Sequence, residues 1–330
     1  KIKEDVIEEV SRVIGFDNLP MTLPSVPAEN ISVDLEKESF EKRLADSLVA
    51  QGLNEILTHS LVSQEIAGEG GIALENWMSQ EHGFLRTDLL SSMLKVMASN
   101  MNHGQKDLKL FEIGKRYFSD GERQTLALGL TGSANADWRE PKGRQLDFYD
   151  LKGIVQKALD HRGVSDASFK AIKGEPMLTG SAANILVKDK VIGQVYQVIK
   201  KTLTNRGIKK ADVFFAQLDI EILKECVDSR LKYQPAPEFP AMVRDLSLGV
   251  QEDVSLDDLK VVCVENGGDL LKKIDFVELY TGDKIEAGVK GYVLSLTYQS
   301  YERTLVDDEV TTLHEAIAQA LIDKLNVKRR

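Results

Sequence analysis

The sequence LKLFEIGKRYFSDGERQTLALGLT, at residues 108–131, contains two strand-like runs, Leu108–Phe118 and 125–131, with the turn residues Ser, Asp and Gly between them. Helices are predicted around these runs, because apolar residues recur every three to four positions before Gly52, over 87–101 and over Phe148–His161. Two further strands are predicted at 56–62 and 213–218. These elements lack the regular spacing of βαβ units, so the pattern predicts an α+β domain around an antiparallel sheet.

A short helix and a proline-punctuated connector precede this region. Val6, Val10 and Val13 form an apolar stripe that predicts a helix over residues 4–14, and Gly15 is placed to end it. Prolines at positions 20, 24 and 27 favour an extended linker. The chain begins KIKEDVIEEV, without an initiator Met and without the apolar core of a signal peptide. We therefore expect a piece of a longer protein.

The last third of the chain follows three closely spaced prolines, Pro235, Pro237 and Pro240, which indicate a domain boundary. The predicted elements are strand 243–250, helix 255–265, strand Leu271–Tyr280, strand 292–301, helix Asp307–Leu325 and a final strand within 326–330. Ser255 is predicted to cap the first of these helices. The order βαββαβ is that of a ferredoxin-like split βαβ domain.

Charge and cysteine content restrict the functional classes. The 330 residues include 42 Lys and Arg against 52 Asp and Glu, a formal net charge of −10, and residues 235–330 carry 11 against 18, a net of −7. This balance argues against general coating of nucleic acid, which depends on Lys and Arg, but it leaves room for a local basic patch. Cys226 and Cys263 form no disulfide framework and no zinc motif. Because no apolar run approaches the roughly 20 residues that span a bilayer, we expect a cytoplasmic protein with reduced thiols.

Three carboxylates near the start of the chain are a candidate metal site. Asp5, Glu8 and Glu9 are spaced to lie on one face of the predicted helix. Hard oxygen ligands of this kind suit Mg²⁺, which commonly takes only one or two carboxylates from a protein. The alternative is a solvated acidic turn in which Arg12 pairs with Glu8 or Glu9, and spacing alone favours that alternative.

A family resemblance becomes visible in the middle of the chain, in LRTD at residues 85–88 and LFEIGKRYF at residues 110–118. The second string is similar to the motif 2 strand of class II aminoacyl-tRNA synthetases. In active members, the resemblance implies, an Arg just after this strand holds the ATP α-phosphate. Here Phe118 is followed by Ser119, Asp120, Gly121 and Glu122, and a glycine-rich motif 3 is also missing. We therefore expect a synthetase core without catalytic residues.

Four strings together resemble one family, the beta subunit of bacterial phenylalanyl-tRNA synthetases. They are DVIEEVSRVIGFDNLP at 5–20, DFYDLKG at 147–153, FPAMVRDL at 239–246 and YQSYERTLVDDEV at 298–310. The resemblance implies the end of a B5 domain and a linker at 1–23 and a class II synthetase-like pseudo-catalytic core at 24–235. A ferredoxin-fold anticodon-binding domain would occupy 236–330.

The resemblance also implies partners and ligands. The chain would support a catalytic alpha subunit in an α₂β₂ phenylalanine–tRNA ligase and bind tRNA(Phe), while the alpha subunit uses ATP and Mg²⁺. In this family the B5 helix supplies Mg²⁺ ligands at positions that match Asp5, Glu8 and Glu9, which reverses the preference from spacing. A remaining family aspartate would precede Lys1, so we expect the site to be incomplete and empty.

Four basic side chains of the last domain are candidate tRNA contacts: Arg244, Arg303, Lys328 and Arg329. The alternative for Arg244 is an ion pair with Asp245 or Glu238, and for Arg303 an ion pair with Asp307; the basic residues at the end could also be a frayed tail.

Two rival functions remain open. The chain could be a scaffold without tRNA contact, or an autonomous ATP-dependent ligase, which the missing motifs disfavour.

Overall fold

The computed structural model describes residues 2–22, 35–68, 70–77, 79–134, 143–164, 167–172, 178–227, 235–251, 253–280 and 288–329, without the side chains of 35–39 and 178–180. The chain divides into two compact units. We call Lys1–Leu231 the first unit and Lys232–Arg330 the second unit. None of the described helices has the length and apolar character that crossing a membrane requires.

The α-helices described in the first unit are α1 (Lys3–Ile14), α2 (Leu35–Ala50), α3 (Gln64–Ala67), α4 (Leu90–Asn102), α5 (Phe148–His161), α6 (Lys200–Asn205) and α7 (Ile220–Glu225). Its described strands are β1 (Asn54–Glu55), β2 (Leu61–Val62), β3 (Phe84–Leu85), β4 (Leu108–Phe118), β5 (Gly121–Thr131), β6 (Ser133–Ala134), β7 (Arg144–Gln145), β8 (Ala167–Ala171), β9 (Leu178–Val187), β10 (Lys190–Val198) and β11 (Val213–Asp219). The second unit contains β12 (Met242–Gln251), α8 (Leu256–Gly267), β13 (Leu271–Tyr280), β14 (Val289–Tyr298), α9 (Asp307–Leu325) and β15 (Lys328–Arg329).

The first unit is built on a seven-stranded sheet in the order β1-β4-β5-β11-β10-β9-β8. Every neighbouring pair is antiparallel except β1 and β4, which are parallel. The predicted α+β class and antiparallel sheet are therefore confirmed. Strands β8, β9 and β10 were not predicted. The turn between β9 and β10 places Lys188 and Asp189 at φ of 49° and 66°, a conformation that Asn-Gly usually signals, and here that signal is absent.

The predicted strand at 56–62 is wrong in its centre. Only Asn54–Glu55 and Leu61–Val62 are strands. Between them, the N–H of Ile56 still donates to the carbonyl of Phe111 in β4 at 2.8 Å, whereas Thr58 bonds to a side chain. The backbone N–H of Thr58 donates to Glu112 Oε1 at 3.3 Å, and the Thr58 hydroxyl donates to Glu112 Oε2 at 2.7 Å. The helix predicted from residue 87 begins later, at Leu90. Asp88, two residues before it, accepts a hydrogen bond from the N–H of Ser91 through Oδ1 (2.8 Å) and so satisfies a free donor of the first turn.

Both faces of the central strands are covered by helices. On one face, Leu126, Leu128 and Leu130 of β5 pack with Leu44 of α2 and Leu151 of α5. On the other face, a second cluster combines side chains of α4, α6 and three strands: Met93, Met97, Leu203, Leu108, Ala127 and Phe215. A Cβ at Gly129 would clash with Met93 Sδ and Met97 Cε, so this glycine lets α4 approach the sheet.

The second unit has a four-stranded antiparallel sheet in the order β13-β14-β12-β15. Its core joins Leu246 and Leu294 of the sheet to Leu259 of α8 and Ile317 of α9. With the elements in βαββαβ order, the predicted ferredoxin-like domain is confirmed, including a final strand at Lys328–Arg329. Cys263 lies in this core as a free thiol, and burial raises its pKa to about 11.

The predicted cap of α8 is present. Ser255 Oγ accepts a hydrogen bond from the N–H of Asp258 (3.1 Å), and Asp258 Oδ2 accepts from the N–H of Ser255 (2.8 Å). This is a reciprocal capping box, although it uses Asp at the position where Glu is commoner. The hydrogen bonds from Ser255 hold the pKa of the Asp258 carboxyl below its usual range. The helix start is thus determined by residues only three positions apart.

Candidate functional site

The two middle strings of the sequence, LRTD and LFEIGKRYF, meet in one buried cluster. Arg86 follows β3 and reaches Glu112 of β4, where Arg86 Nη1 donates to Glu112 Oε1 at 2.8 Å. Arg86 Nη1 also donates to Thr58 Oγ1 at 2.7 Å, and Arg86 Nε donates to the carbonyl of Lys115 at 2.9 Å. The side chains of Arg86 and Glu112 are 2% and 0% exposed. The cluster therefore joins three segments of the first unit around one fully buried charge pair.

Burial decides what this pair can do. Two charges removed from water are stable only when each is paired and its remaining hydrogen-bonding groups are satisfied. Thr58 and the Lys115 carbonyl provide those further bonds. A Cβ at Gly114 would overlap Arg86 Nη2, so the glycine of FEIG leaves room for the guanidinium. The cluster positions β3 and β4 against each other and is closed to ligands, which makes it structural rather than catalytic.

The end of the motif 2 strand forms a tight hairpin. Phe118 pairs with Gly121, so only Ser119 and Asp120 form the turn between β4 and β5. Arg123 donates to both Asp120 oxygens at 3.0 and 2.5 Å, and its guanidinium lies 4.7 Å from the centre of the Phe118 ring. Arg116 also lies over Phe118, at 5.3 Å, and its Nε donates to Thr125 Oγ1 at 2.7 Å. Arg116 and Arg123, the arginines near the position where an ATP-binding Arg is missing, are therefore both bonded to groups of the chain itself.

The three predicted metal ligands of α1 are all exposed and do not converge. Asp5 Oδ2 accepts a hydrogen bond from the N–H of Ile2 (2.9 Å), and Glu9 pairs with Arg12 at 2.5 Å. Within the ranges that the structure describes, no group of three or more His, Cys, Asp or Glu side chains is arranged to hold a metal ion. As placed, Asp5, Glu8 and Glu9 do not fit a magnesium site, and the alternative pairing of Arg12 with Glu9 is formed.

Carboxylates of one helix, α9, pair with the candidate tRNA contacts Arg244, Arg303 and Arg329. Arg244 donates to Asp307, Arg303 binds Glu309 through both terminal nitrogens at 2.6 and 2.7 Å, and Arg329 donates to Glu315. The partners of Arg244 and Arg303 therefore differ from those expected from the sequence. The sequence alone does not show that β12 and the loop before α9 lie beside the start of that helix. Lys328 precedes Arg329 on β15.

The four residues form two groups rather than one patch. Arg244 and Arg303 meet at the first turn of α9, whereas Arg329 reaches Glu315, eight residues or about 12 Å further along the helix. At the first turn, the Arg303 guanidinium and the N–H of Val306 lower the pKa of Glu309 to about 2. The side chains of Arg303 and Glu309 are 55% and 29% exposed, so water screens this pair and an incoming anion can reach it.

The second unit also contains a buried polar pair that the sequence did not single out. Tyr298 Oη and His314 Nδ1 are joined by a hydrogen bond of 3.1 Å inside the core. Burial lowers the pKa of His314 and raises the pKa of Tyr298. The spacing of His314 from Val310 and Ile317 could have indicated a place on the apolar stripe of α9. Glu112 carried a similar signal, as a carboxylate inside an otherwise apolar strand.

Two family models match the chain. The phenylalanyl tRNA synthetase beta chain CLM domain matches residues 19–220, and the ferredoxin-fold anticodon binding domain matches residues 237–330. A solved structure, the pyrrolysyl-tRNA synthetase from Desulfitobacterium hafniense, aligns at a TM-score of 0.46 and 15% identity, covering 57% of this chain and 67% of its own.

Curated relatives align along nearly the whole chain. The phenylalanine–tRNA ligase beta subunit of Halalkalibacterium halodurans is 34% identical over 97% of this chain. The proteins of the same name from Syntrophus aciditrophicus and Staphylococcus haemolyticus are 30% and 32% identical over 99% and 97% of the chain. The chain spans 41–42% of the length of these relatives. With the beta chain model matched across more than half of its residues, this chain belongs to the phenylalanyl-tRNA synthetase beta chain family.

Proposed function

We propose that this chain is a non-catalytic part of the beta subunit of a cytoplasmic phenylalanine–tRNA ligase. In this proposal it supports the catalytic alpha subunit in an α₂β₂ enzyme and binds tRNA(Phe), while the alpha subunit uses ATP and Mg²⁺. The observation that carries the proposal is the order of the two matched families, a beta chain core followed by an anticodon-binding fold. The proposed domains are 1–23 as the end of a B5 domain with its linker, 24–235 as the synthetase-like core and 236–330 as the anticodon-binding domain.

The core would act through rigidity. The buried bonds from Arg86 to Glu112 and Thr58 hold β3, β4 and the segment before β2 in one arrangement. A partner subunit that docks on such a unit loses less conformational freedom than one that must order a mobile surface. The chain itself has Ser119 and Asp120 where an ATP-binding Arg is expected, so adenylate formation is assigned to the alpha subunit.

In this proposal, the second unit binds tRNA when a phosphate of the tRNA replaces a carboxylate as the partner of an arginine. Arg244 and Arg303 are held by Asp307 and Glu309 at the first turn of α9. A phosphate that approaches this turn can take over N–H groups from the carboxylates, since exposed ion pairs contribute little to stability. Lys328 and Arg329 would form a second contact. Because residues 235–330 carry a net charge of −7, the binding must depend on such local contacts and on shape.

The carboxylates of α1 are proposed to form only part of a magnesium site. Asp5, Glu8 and Glu9 would need a further ligand from outside this chain, and Glu9 would have to leave Arg12. No step of the proposed function depends on a metal bound there.

The scaffold without tRNA contact is the stronger rival, and a specific observation favours it. The candidate contacts Arg244, Arg303 and Arg329 are already paired with carboxylates of α9. The two proposals differ in what the second unit binds and agree on the role of the first.

Co-expression with the alpha subunit of the same genome tests the proposed function. We expect the chain to co-purify with that subunit, and we expect pyrophosphate exchange into ATP only in samples that contain it. A matched control expresses the chain alone. Exchange by the purified chain alone with any amino acid would show that the autonomous-ligase alternative is correct.

A further inference from the structure

Arg162, which follows α5, is half-buried and lacks a partner for a buried donor. Its guanidinium lies 4.4 Å from the centre of the Phe40 ring of α2. Its Nε is shielded from solvent and makes no hydrogen bond. Burial lowers the pKa of Arg162, and the nearby Arg43 lowers it further. A stacked guanidinium with an orphaned N–H beside a second arginine is an incomplete anion-binding arrangement.

The neighbouring lysine shows what a completed arrangement looks like. Lys224 also lies near the Phe40 ring, at 5.7 Å, and its charge is balanced by Glu41 at 3.3 Å and Glu221 at 3.2 Å. The second oxygen of Glu41 accepts a hydrogen bond from Gln124 Nε2 at 3.0 Å. Glu41 is thus committed to other groups. Among the described side chains, no carboxylate lies within ion-pair distance of Arg162 or Arg43.

Arg43 lies three residues after Phe40 on α2, and residues with this spacing share a helix face. The ring, Arg162 and Arg43 therefore belong to one surface of the first unit, which we call the Phe40 surface. Arg162 as a whole is partly exposed, and of its three guanidinium nitrogens only Nε is fully shielded without a hydrogen-bond partner. The two terminal nitrogens are a planar pair of donors that matches the two oxygens of a carboxylate.

We propose that Arg43 and Arg162 bind a carboxylate side chain of a partner protein at the Phe40 surface, and we assign the partner as the alpha subunit. The assignment rests on the proposed function. A single carboxylate satisfies the two arginines without approaching other charges. A nucleic-acid backbone carries a charge at every nucleotide and would be repelled by Glu41 and Glu221, which flank the adjacent lysine. Charge complementarity therefore selects an acidic side chain.

The test measures association of the chain with the purified alpha subunit by isothermal titration calorimetry. We expect Arg162→Gln and Arg43→Gln each to raise Kd at least tenfold, and Arg162→Lys to have an intermediate effect because it keeps the charge and loses the planar fork. The matched control is Arg206→Gln, since Arg206 is a partly buried arginine that already pairs with Glu65 at 3.3 Å. It should change Kd less than twofold. The urea midpoint of each variant reports whether it folds.

The outcomes separate this inference from the proposed function. If the wild-type chain does not bind the alpha subunit, the proposed function fails and this assignment fails with it. If wild type binds and Arg162→Gln binds within twofold of it, only the present inference is overturned. A normal Kd for the subunit combined with weaker tRNA binding by the assembled variant enzyme would also overturn it, in favour of a nucleic-acid contact.

Discussion

The two units use the same kind of ion pair in opposite ways. In the first unit, Arg86 and Glu112 are 2% and 0% exposed and are surrounded by further hydrogen bonds. In the second unit, Arg303 and Glu309 form a pair of similar length, but their side chains are 55% and 29% exposed to water. Desolvation makes the first pair indispensable once it is buried, whereas screening makes the second pair exchangeable. Burial, rather than residue type, separates a charge that maintains the fold from one that is available to a partner.

The largest effect is expected at the buried pair. Glu112→Gln leaves the Arg86 charge buried without a counter-ion and should reduce the free energy of unfolding of the first unit by about 3–5 kcal/mol. Urea unfolding followed by tryptophan fluorescence measures this, because both tryptophans, Trp77 and Trp138, belong to the first unit. The control is Glu122→Gln, which breaks the exposed pair with Lys115 and should reduce the free energy of unfolding far less, because water screens that pair. Equal losses in the two variants would contradict the distinction between buried and exposed ion pairs.

The buried histidine of the second unit gives the next largest effect. His314→Leu leaves the Tyr298 hydroxyl unpaired and should destabilise this unit by about 1–3 kcal/mol at pH 7.5. Burial lowers the pKa of His314, so the unfolded chain binds its proton more tightly than the folded chain. Stability should therefore fall as the pH drops below about 6.5 in wild type and fall less in the variant.

Calorimetric unfolding at pH 7.5, 6.5 and 5.5 checks this difference. His314 is the only histidine among residues 232–330, so the second unit has no other group that normally titrates in this range. A variant whose transition shifts with pH as much as that of wild type would show that His314 is not the group responsible.

The exposed pairs should affect binding more than stability. Arg303→Gln and Arg244→Gln should each leave the free energy of unfolding nearly unchanged, because water screens exposed ion pairs. In the assembled enzyme, each should weaken tRNA(Phe) binding and reduce the slope of log K against log salt concentration by about 1. Filter binding over a salt series measures both quantities. The control is Arg123→Gln, which breaks a pair with Asp120 in the first unit. Unchanged slopes for both second-unit variants would favour the scaffold.

The smallest effect is expected at α1. Because Asp5, Glu8 and Glu9 are exposed and do not converge, millimolar Mg²⁺ should leave the melting temperature of the chain unchanged within about 1 °C. The same result is expected for Asp5→Asn. Thermal unfolding with and without EDTA provides the measurement. If Mg²⁺ raised the melting temperature by several degrees and Asp5→Asn abolished this rise, α1 would be shown to bind the metal.

Local patterns in the sequence were sufficient to predict much of the second unit. Leu294 and Leu296 alternate with polar neighbours, which predicts the strand β14. Ser255 and Asp258 are three residues apart, which predicts the start of α8. Both patterns involve residues that are close in the sequence. The β9–β10 hairpin was missed because Lys188 and Asp189 adopt a turn conformation that their side chains do not signal.

The site itself was harder to predict, because its contacts join distant positions. Arg86 and Glu112 were both within quoted strings, yet 26 residues separate them and no periodicity indicates that they pair. Arg244 reaches a carboxylate 63 residues away, and Arg162 lies on the ring of Phe40, which precedes it by more than 100 residues. Charge partners of this kind depend on the sheet order, which the sequence determines only through the complete fold.

The central claim, that the second unit contributes tRNA contacts to a beta subunit, is tested most directly by one titration. tRNA(Phe) binding is measured by filter retention for the assembled enzyme with and without residues 236–330, at one salt concentration. We expect at least a tenfold weaker affinity without these residues. Equal affinity of the two enzymes would contradict it and leave the chain as a scaffold.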